Sequence, residues 1–116
     1  MRREALITMI NAASSTGASS VVTNTNCDLL SVQVDGTFSA ATVKVEGKTN
    51  ENATDWTTIA IFNKTTLDMT AGSTGITAKG IYEANIAGVV FVRVNVTSVS
   101  GGNVTVVGSF ENTSEN

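Results

Sequence analysis

The chain has 116 residues and a formal net charge of −3, a length that suits one domain with a single core. Its seven lysines and arginines are scattered along the sequence, which excludes the basic stripe that a nucleic-acid-binding protein needs. It has no histidine and one cysteine, which excludes an ordinary zinc site and an internal disulfide, and its longest apolar run is too short for a transmembrane helix.

Residues 1–19 are expected to form a flexible N-terminal arm. Leu6 and Met9 lie at helical spacing, whereas Ile7 and Ile10 favour a strand, so the sequence is compatible with a turn of helix or with an extended segment that pairs with a sheet edge. A polar, small-residue stretch typical of a loop follows. Polar residues interrupt the apolar run, so we expect no signal peptide.

The rest of the chain, residues 20–116, repeatedly alternates apolar and polar side chains, most clearly over 90–96. This period places one face of each strand on a core and the other in water. Asp35-Gly36 and Ser100-Gly101-Gly102 are turn signals that predict hairpins between the flanking strands. Strands are expected at about 20–23, 28–35, 40–47, 56–62, 80–86, 88–98 and 103–110. Their spacing predicts an all-β fold, a single antiparallel β-sandwich of the immunoglobulin-like or jelly-roll kind.

Two connections are longer than an ordinary hairpin loop. The segment 48–55 is polar and carries oxygen ligands of the type that calcium accepts, but it lacks the glycine and the final glutamate of an EF-hand, which favours a solvated loop. The segment 63–79 contains Leu67 and Met69, which we expect to point inward.

The residue types needed for common catalytic mechanisms are missing or badly spaced. Without histidine, the usual base for a nucleophile is absent, and Cys27 is expected to be a structural thiol. Glu46, Glu51 and Asp55 cluster in sequence, but a glycosidase also needs aromatic platforms for the sugar. We therefore predict no enzyme, no catalytic residues, no cofactor and no metal site.

Trp56 and Arg93 each admit two interpretations. The Trp56 ring can cap one end of the core, or it can lie on a rim and contact a sugar or a protein. Arg93 stands between valines on a strand whose other face is buried. It can cover a carboxylate of a neighbouring subunit, or lie on the surface with its stem packed down.

Several segments together resemble small virion proteins of tailed bacteriophages. They are the run from Val34-Asp35-Gly36-Thr37-Phe38-Ser39 to Val45-Glu46-Gly47, then Trp56-Thr57-Thr58-Ile59, Gly80-Ile81-Tyr82, the strand from Phe91 to Ser98, and the ending from Gly101 to Gly108. The likeness spans about residues 32–108, and the positions of Trp56, Tyr82 and Arg93 are its most specific part.

This resemblance implies a virion structural protein, most specifically a capsid decoration protein that binds the assembled head and stabilises it by multivalent contacts. Its partners would be the major capsid protein or other virion proteins and further copies of itself, with a trimer as the expected oligomer, and no nucleic acid or membrane. Its location would be the virion, assembled in the host cytoplasm. The alternative is a tail-associated or adhesive module that binds host-surface carbohydrate. The residues expected to bind partners are Leu6, Ile7, Met9, Ile10, Trp56 and Arg93.

Overall fold

Alternation of valines with polar residues builds two antiparallel sheets that pack face to face in a computed structural model, which describes residues 1–114. The all-β sandwich predicted from the sequence is confirmed. Over the described range the strands are β1 (Arg2–Arg3), β2 (Ile7–Ala13), β3 (Gly17–Ala18), β4 (Val22–Thr23), β5 (Leu29–Thr37), β6 (Ala40–Lys48), β7 (Thr57–Thr58), β8 (Ile61–Asn63), β9 (Asp68–Thr70), β10 (Gly80–Asn85), β11 (Phe91–Ser100) and β12 (Asn103–Asn112).

The first sheet has the order β1-β12-β5-β10-β8-β9, with β2 also paired to β12. The second sheet has the order β3-β11-β6-β7, with β4 also paired to β11. All of these pairings are antiparallel. The longest strands, β5 and β12 in one sheet and β6 and β11 in the other, form the centre of the sandwich.

The core lies between the sheets and consists mainly of β-branched side chains. In β11 the inward-facing Val92, Val94 and Val96 are fully buried, while Arg93 and Asn95 between them face outward and are half-buried. Burying an aliphatic side chain of this kind stabilises the fold by about 1.5–3 kcal/mol, so rows of valines supply the stability that few aromatic residues could otherwise give. Tyr82 is one of the few buried aromatic side chains, and its hydroxyl donates a hydrogen bond to the Ala78 carbonyl at 2.8 Å.

The two predicted hairpins are connections between sheets instead. Asp35 and Gly36 lie inside β5, and the chain leaves that strand for β6 in the opposite sheet. Likewise, the turn after Ser100 joins β11 to β12, which belong to different sheets. The two connections lie side by side, and Gly102, with φ of +140°, passes so close to Thr37 that a Cβ there would overlap the Thr37 carbonyl. Glycine signals a sharp turn, but it does not specify whether the next strand pairs with the last or crosses the sandwich.

The segment expected to form an N-terminal arm is built into both sheets. β1 and β2 lie end to end along one edge of β12, and β3 pairs with β11 in the other sheet. The extended alternative therefore describes residues 7–13, and their inward-facing side chains belong to the core. The last two residues of the predicted 20–116 domain lie outside the described residues.

The segment 56–70 differs from its prediction in two ways. The single expected strand over 56–62 is divided, because β7 pairs with β6 in one sheet and β8 pairs with β10 in the other. Leu67 and Met69, expected to point inward, are 71% and 65% exposed. Leu67 lies in the turn between β8 and β9 with φ of +64°. Met69 pairs with Phe62, so it lies on the face of the hairpin opposite to the one that buries Ile61.

Candidate functional site

The side chain of Trp56 lies on the outer face of the second sheet and not in the core. It directly precedes β7 and is half-buried. Its ring centroid is 4.3 Å from Arg93 Cζ and 4.9 Å from Lys48 Nζ. Both cations are within the distance at which an aromatic ring attracts a positive charge. The structure thus brings Trp56 and Arg93, the two body residues predicted to bind a partner, into direct contact.

Strand register explains why these side chains meet. Arg93 pairs with Glu46 across β11 and β6, and Phe91 pairs with Lys48 one step along the same ladder. Residues two apart on a strand share a face, so all four side chains lie on the side of the sheet that faces away from the core. The short strand β7 then pairs with the end of β6 and brings Trp56 over this face.

An ion pair fixes the arginine that contacts the ring. Arg93 Nε donates a hydrogen bond to Glu46 Oε1 at 2.8 Å, and Asn95 Nδ2 donates to Glu46 Oε2 at 3.3 Å. The Glu46 side chain is only 9% exposed and that of Arg93 is 25% exposed. Each carboxylate oxygen has a donor, as a buried carboxylate requires. The Arg93 Nε group therefore pairs with a carboxylate of its own chain.

An open depression lies beside the ring. It has a volume of about 280 Å³ and is lined by Val21, Lys48, Glu51, Trp56 and Phe91. Its walls are mostly apolar, and Val21 is 50% exposed. A lysine and a glutamate at the margin add one charge of each sign. We call Trp56, Arg93, Glu46 and this depression the tryptophan site.

The polar loop next to the tryptophan site is held by Lys48. Its Nζ donates to the Ala53 carbonyl at 3.1 Å and to the Glu51 carbonyl at 3.4 Å. The loop 48–55 was considered above as a source of calcium ligands. Two of its main-chain oxygens accept hydrogen bonds from the Lys48 ammonium group. Among residues 1–114, no three histidine, cysteine, aspartate or glutamate side chains are grouped so that they could hold a metal ion.

The four N-terminal residues predicted to bind a partner do not stay together. Met9 and Ile10 are 8% and 7% exposed and belong to the core, so they stabilise the fold and are unavailable to a partner. Ile7 is half-buried and packs against the same core. Leu6, by contrast, is 71% exposed on the outer face of the first sheet. Successive side chains of a strand point to opposite faces, so neighbours in sequence are separated in this way. The sequence did not predict which of these residues are buried, because it was compatible with both a helix and a strand.

Two carboxylates form hydrogen bonds that hold residues near the two ends of the described range. Glu4 Oε1 accepts hydrogen bonds from Thr25 Oγ1 and Arg2 Nη1, both at 2.8 Å, and these bonds lower the Glu4 pKa. Asp28 accepts from the hydroxyl and the main-chain N–H of Thr113, which lowers the Asp28 pKa. Both groups therefore stay ionised at neutral pH and tie the termini to the loop that precedes β5.

Cys27 belongs to this loop and is almost fully buried. It is 3% exposed and has no disulfide partner. Burial raises the pKa of its thiol, which keeps it protonated and poorly nucleophilic at neutral pH. The placement agrees with the structural thiol expected from the sequence.

None of the described segments forms a helix with the length and apolar character needed to span a bilayer.

The profile of the XepA family matches residues 3–110, which is nearly the whole chain. The chain belongs to the XepA family. Among solved structures, the SPBc2 prophage-derived protein YomS superposes with a TM-score of 0.80 at 24% identity, covering 95% of this chain and 95% of YomS. The PBSX exported protein XepA superposes with a TM-score of 0.83 at 19% identity. That match covers 95% of this chain but 38% of the longer exported protein.

At these identities the two superpositions establish the fold. No curated protein sequence matches this XepA-family chain.

Proposed function

We propose that this XepA-family protein is a bacteriophage structural protein that acts by binding, most specifically as a capsid decoration protein on the assembled head. Support comes from the family membership and from the fold shared with a prophage-derived protein. The expected absence of enzymatic activity is part of the same proposal.

The observation that carries the proposal is the placement of the only tryptophan of the chain. A protein with few aromatic residues gains most from a tryptophan in its core, yet Trp56 lies outside, against Arg93 and an open depression. Tryptophan and arginine dominate the binding energy of protein interfaces. The Glu46 ion pair orders the arginine before a partner arrives, which reduces the entropy lost on binding.

Attachment to a symmetric shell would raise the overall binding affinity even if each single contact is weak. Each copy in a closed oligomer presents the same tryptophan site, and a second contact then forms within an already bound complex. We include self-association, with a trimer as the expected state, in the proposal. Light scattering on the purified protein measures that state directly.

The direct test is the protein content of purified phage particles. Capsid decoration predicts that this chain copurifies with particles in a copy number that follows capsid symmetry, counted by quantitative mass spectrometry. The Trp56→Ala variant should be depleted from particles, whereas Thr97→Ala, an exposed position on the same sheet, should be retained. Intact particles without the chain would refute the proposal.

A second candidate is an adhesive or exported module that binds host-surface carbohydrate. The observations that favour it are the aromatic ring beside an open depression and the likeness of the fold to that of the PBSX exported protein XepA. This candidate predicts the chain in the culture fluid apart from particles, and glycan binding that Trp56→Ala abolishes. Fractionation of a lysate into particles and fluid separates the two candidates.

A further inference from the structure

The guanidinium group of Arg93 in the tryptophan site is bonded at one end and open at the other. Its Nε donates to Glu46 Oε1 at 2.8 Å, and its Cζ lies 4.3 Å from the centroid of the Trp56 ring. The two terminal nitrogens, Nη1 and Nη2, have no hydrogen-bond partner among residues 1–114. Both atoms are accessible to solvent, because neither belongs to the buried polar atoms that lack a partner.

This arginine differs from a mobile arginine on a protein surface. A mobile side chain loses rotamer freedom when it binds, whereas Arg93 is already ordered by Glu46 and by the Trp56 ring. The planar pair of terminal nitrogens matches the two oxygens of a carboxylate, and such a bidentate, charge-assisted contact is among the stronger hydrogen-bonding arrangements in proteins. Since the bond to Glu46 uses Nε, the terminal pair is left for a second carboxylate.

The charges around the tryptophan ring also favour an anion. Arg93 is paired with Glu46, whereas Lys48 Nζ lies 4.9 Å from the ring centroid and donates to the main-chain carbonyls of Glu51 and Ala53. The Glu51 carboxylate lines the depression, but within residues 1–114 it forms no ion pair with either cation. Two cations therefore contact the ring, and one carboxylate is bonded to them.

We propose that the tryptophan site recognises an acidic side chain of a partner protein, whose carboxylate accepts hydrogen bonds from Arg93 Nη1 and Nη2. This inference rests on the proposed function and names the chemistry of the partner. An apolar side chain of the same segment packs in the depression against Trp56 and Phe91. A phosphate would also accept from the terminal nitrogens, but the apolar walls beside the ring and the net charge of −3 favour a polypeptide.

The first test changes the ligand and leaves the protein as it is. The full chain is the bait and yeast-displayed random short peptides are the probe, so the selection does not depend on the phage role. We expect selected peptides to carry an aspartate or glutamate that is essential for binding. Replacement of that residue by its amide keeps its size but removes its charge, and should weaken binding about tenfold.

The second test changes the arginine. Arg93→Lys keeps a cation beside Glu46 but removes the terminal pair of nitrogens, so affinity for the acidic peptides should fall about tenfold. The amide replacement should then cost less than about threefold, because the two changes remove the same contact. Lys44→Gln removes a cation from the same outer face of β6, outside the tryptophan site, and should change affinity less than about twofold. Thermal melts establish that both variants are folded.

Four results would overturn the proposal. They are selected peptides without an essential acidic residue, amide peptides that bind the wild type as well as acidic ones do, and a folded Arg93→Lys variant with wild-type affinity. The fourth is inorganic phosphate that binds the wild type more tightly than the acidic peptides do. Trp56 is the only tryptophan of the chain, so its fluorescence reports on the site, and acidic peptides that leave its emission unchanged would equally overturn the proposal.

The same variants are then mixed with phage particles that lack this chain. Loss of particle binding in Arg93→Lys, with binding kept in Lys44→Gln, would support both proposals. If acidic peptides bind and particles do not, the carboxylate proposal stands and the capsid role fails. If particles bind Arg93→Lys as well as the wild type but do not bind Trp56→Ala, the capsid role stands and the carboxylate proposal fails.

Discussion

Replacement of Arg93 by alanine tests whether the ion pair beneath Trp56 is a working part of the fold. The substitution leaves the Glu46 carboxylate, whose side chain is 9% exposed, with a hydrogen bond from Asn95 Nδ2 at 3.3 Å but without its cationic partner. Removing one partner of a buried ion pair costs about 3–5 kcal/mol, because the other charge stays buried without compensation. Since native domains are stable by only about 5–15 kcal/mol, Arg93→Ala should remove a large share of the total.

The expected size of the effect can be stated as a melting temperature. A domain of this length loses about 4 °C for each kcal/mol, so a loss of about 3 kcal/mol lowers the midpoint by about 12 °C. Glu46→Gln in the Arg93→Ala background removes the unpaired charge and should restore about half of the loss. The assay is urea and thermal denaturation of the wild type, both single variants and the double variant, analysed as a double-mutant cycle.

Two results would refute this reasoning. One is a cost below about 1 kcal/mol for Arg93→Ala, the range of a solvent-exposed ion pair. The other is a double variant no more stable than Arg93→Ala alone. Either would mean that water reaches Glu46 and that the tryptophan site is not ordered by its ion pair.

Three further predictions concern the rest of the chain. Ile10→Ala should lower the free energy of unfolding by about 3 kcal/mol in urea titrations, whereas Leu6→Ala, at an exposed position nearby, should change it by less than about 0.5 kcal/mol. Equal effects of the two substitutions would contradict the placement of Ile10 in the core. Because the Asp28 pKa is lowered in the folded state, the unfolded state binds more protons; the stabilisation by Asp28 is complete above the ordinary aspartate pKa and is lost as pH falls through the Asp28 pKa of the folded protein. Asp28→Asn should therefore reduce the fall of the urea midpoint with decreasing pH, and an unchanged dependence of that midpoint on pH would contradict the prediction. Because burial raises the pKa of Cys27, iodoacetamide should alkylate it slowly in the folded protein and rapidly in urea, and fast alkylation of the folded form would disprove its burial.

The strands of the body could be predicted because their burial follows the period of the sequence. In β11 every second residue from Val92 to Val96 is buried, as the alternation indicates. The crossing connections could not be predicted, because Asp35-Gly36 reads as a hairpin turn whether the next strand pairs or changes sheet. β9 was missed because three residues with an exposed methionine show no alternation.

The candidate sites show the same division. Trp56 and Arg93 were found from their residue types, but Glu46, Lys48 and Asn95 were not, because their meeting depends on the register between β6 and β11. Met9 and Ile10 were misplaced since the sequence did not choose between helix and strand.

The central claim, binding to an assembled phage particle through the tryptophan site, is tested most directly by adding the purified chain to particles that lack it and measuring the bound amount after sedimentation. We expect saturable binding at a fixed ratio to the major capsid protein, with affinity about thirtyfold weaker in Trp56→Ala. Absence of the wild-type chain from the sedimented particles at every concentration would contradict it.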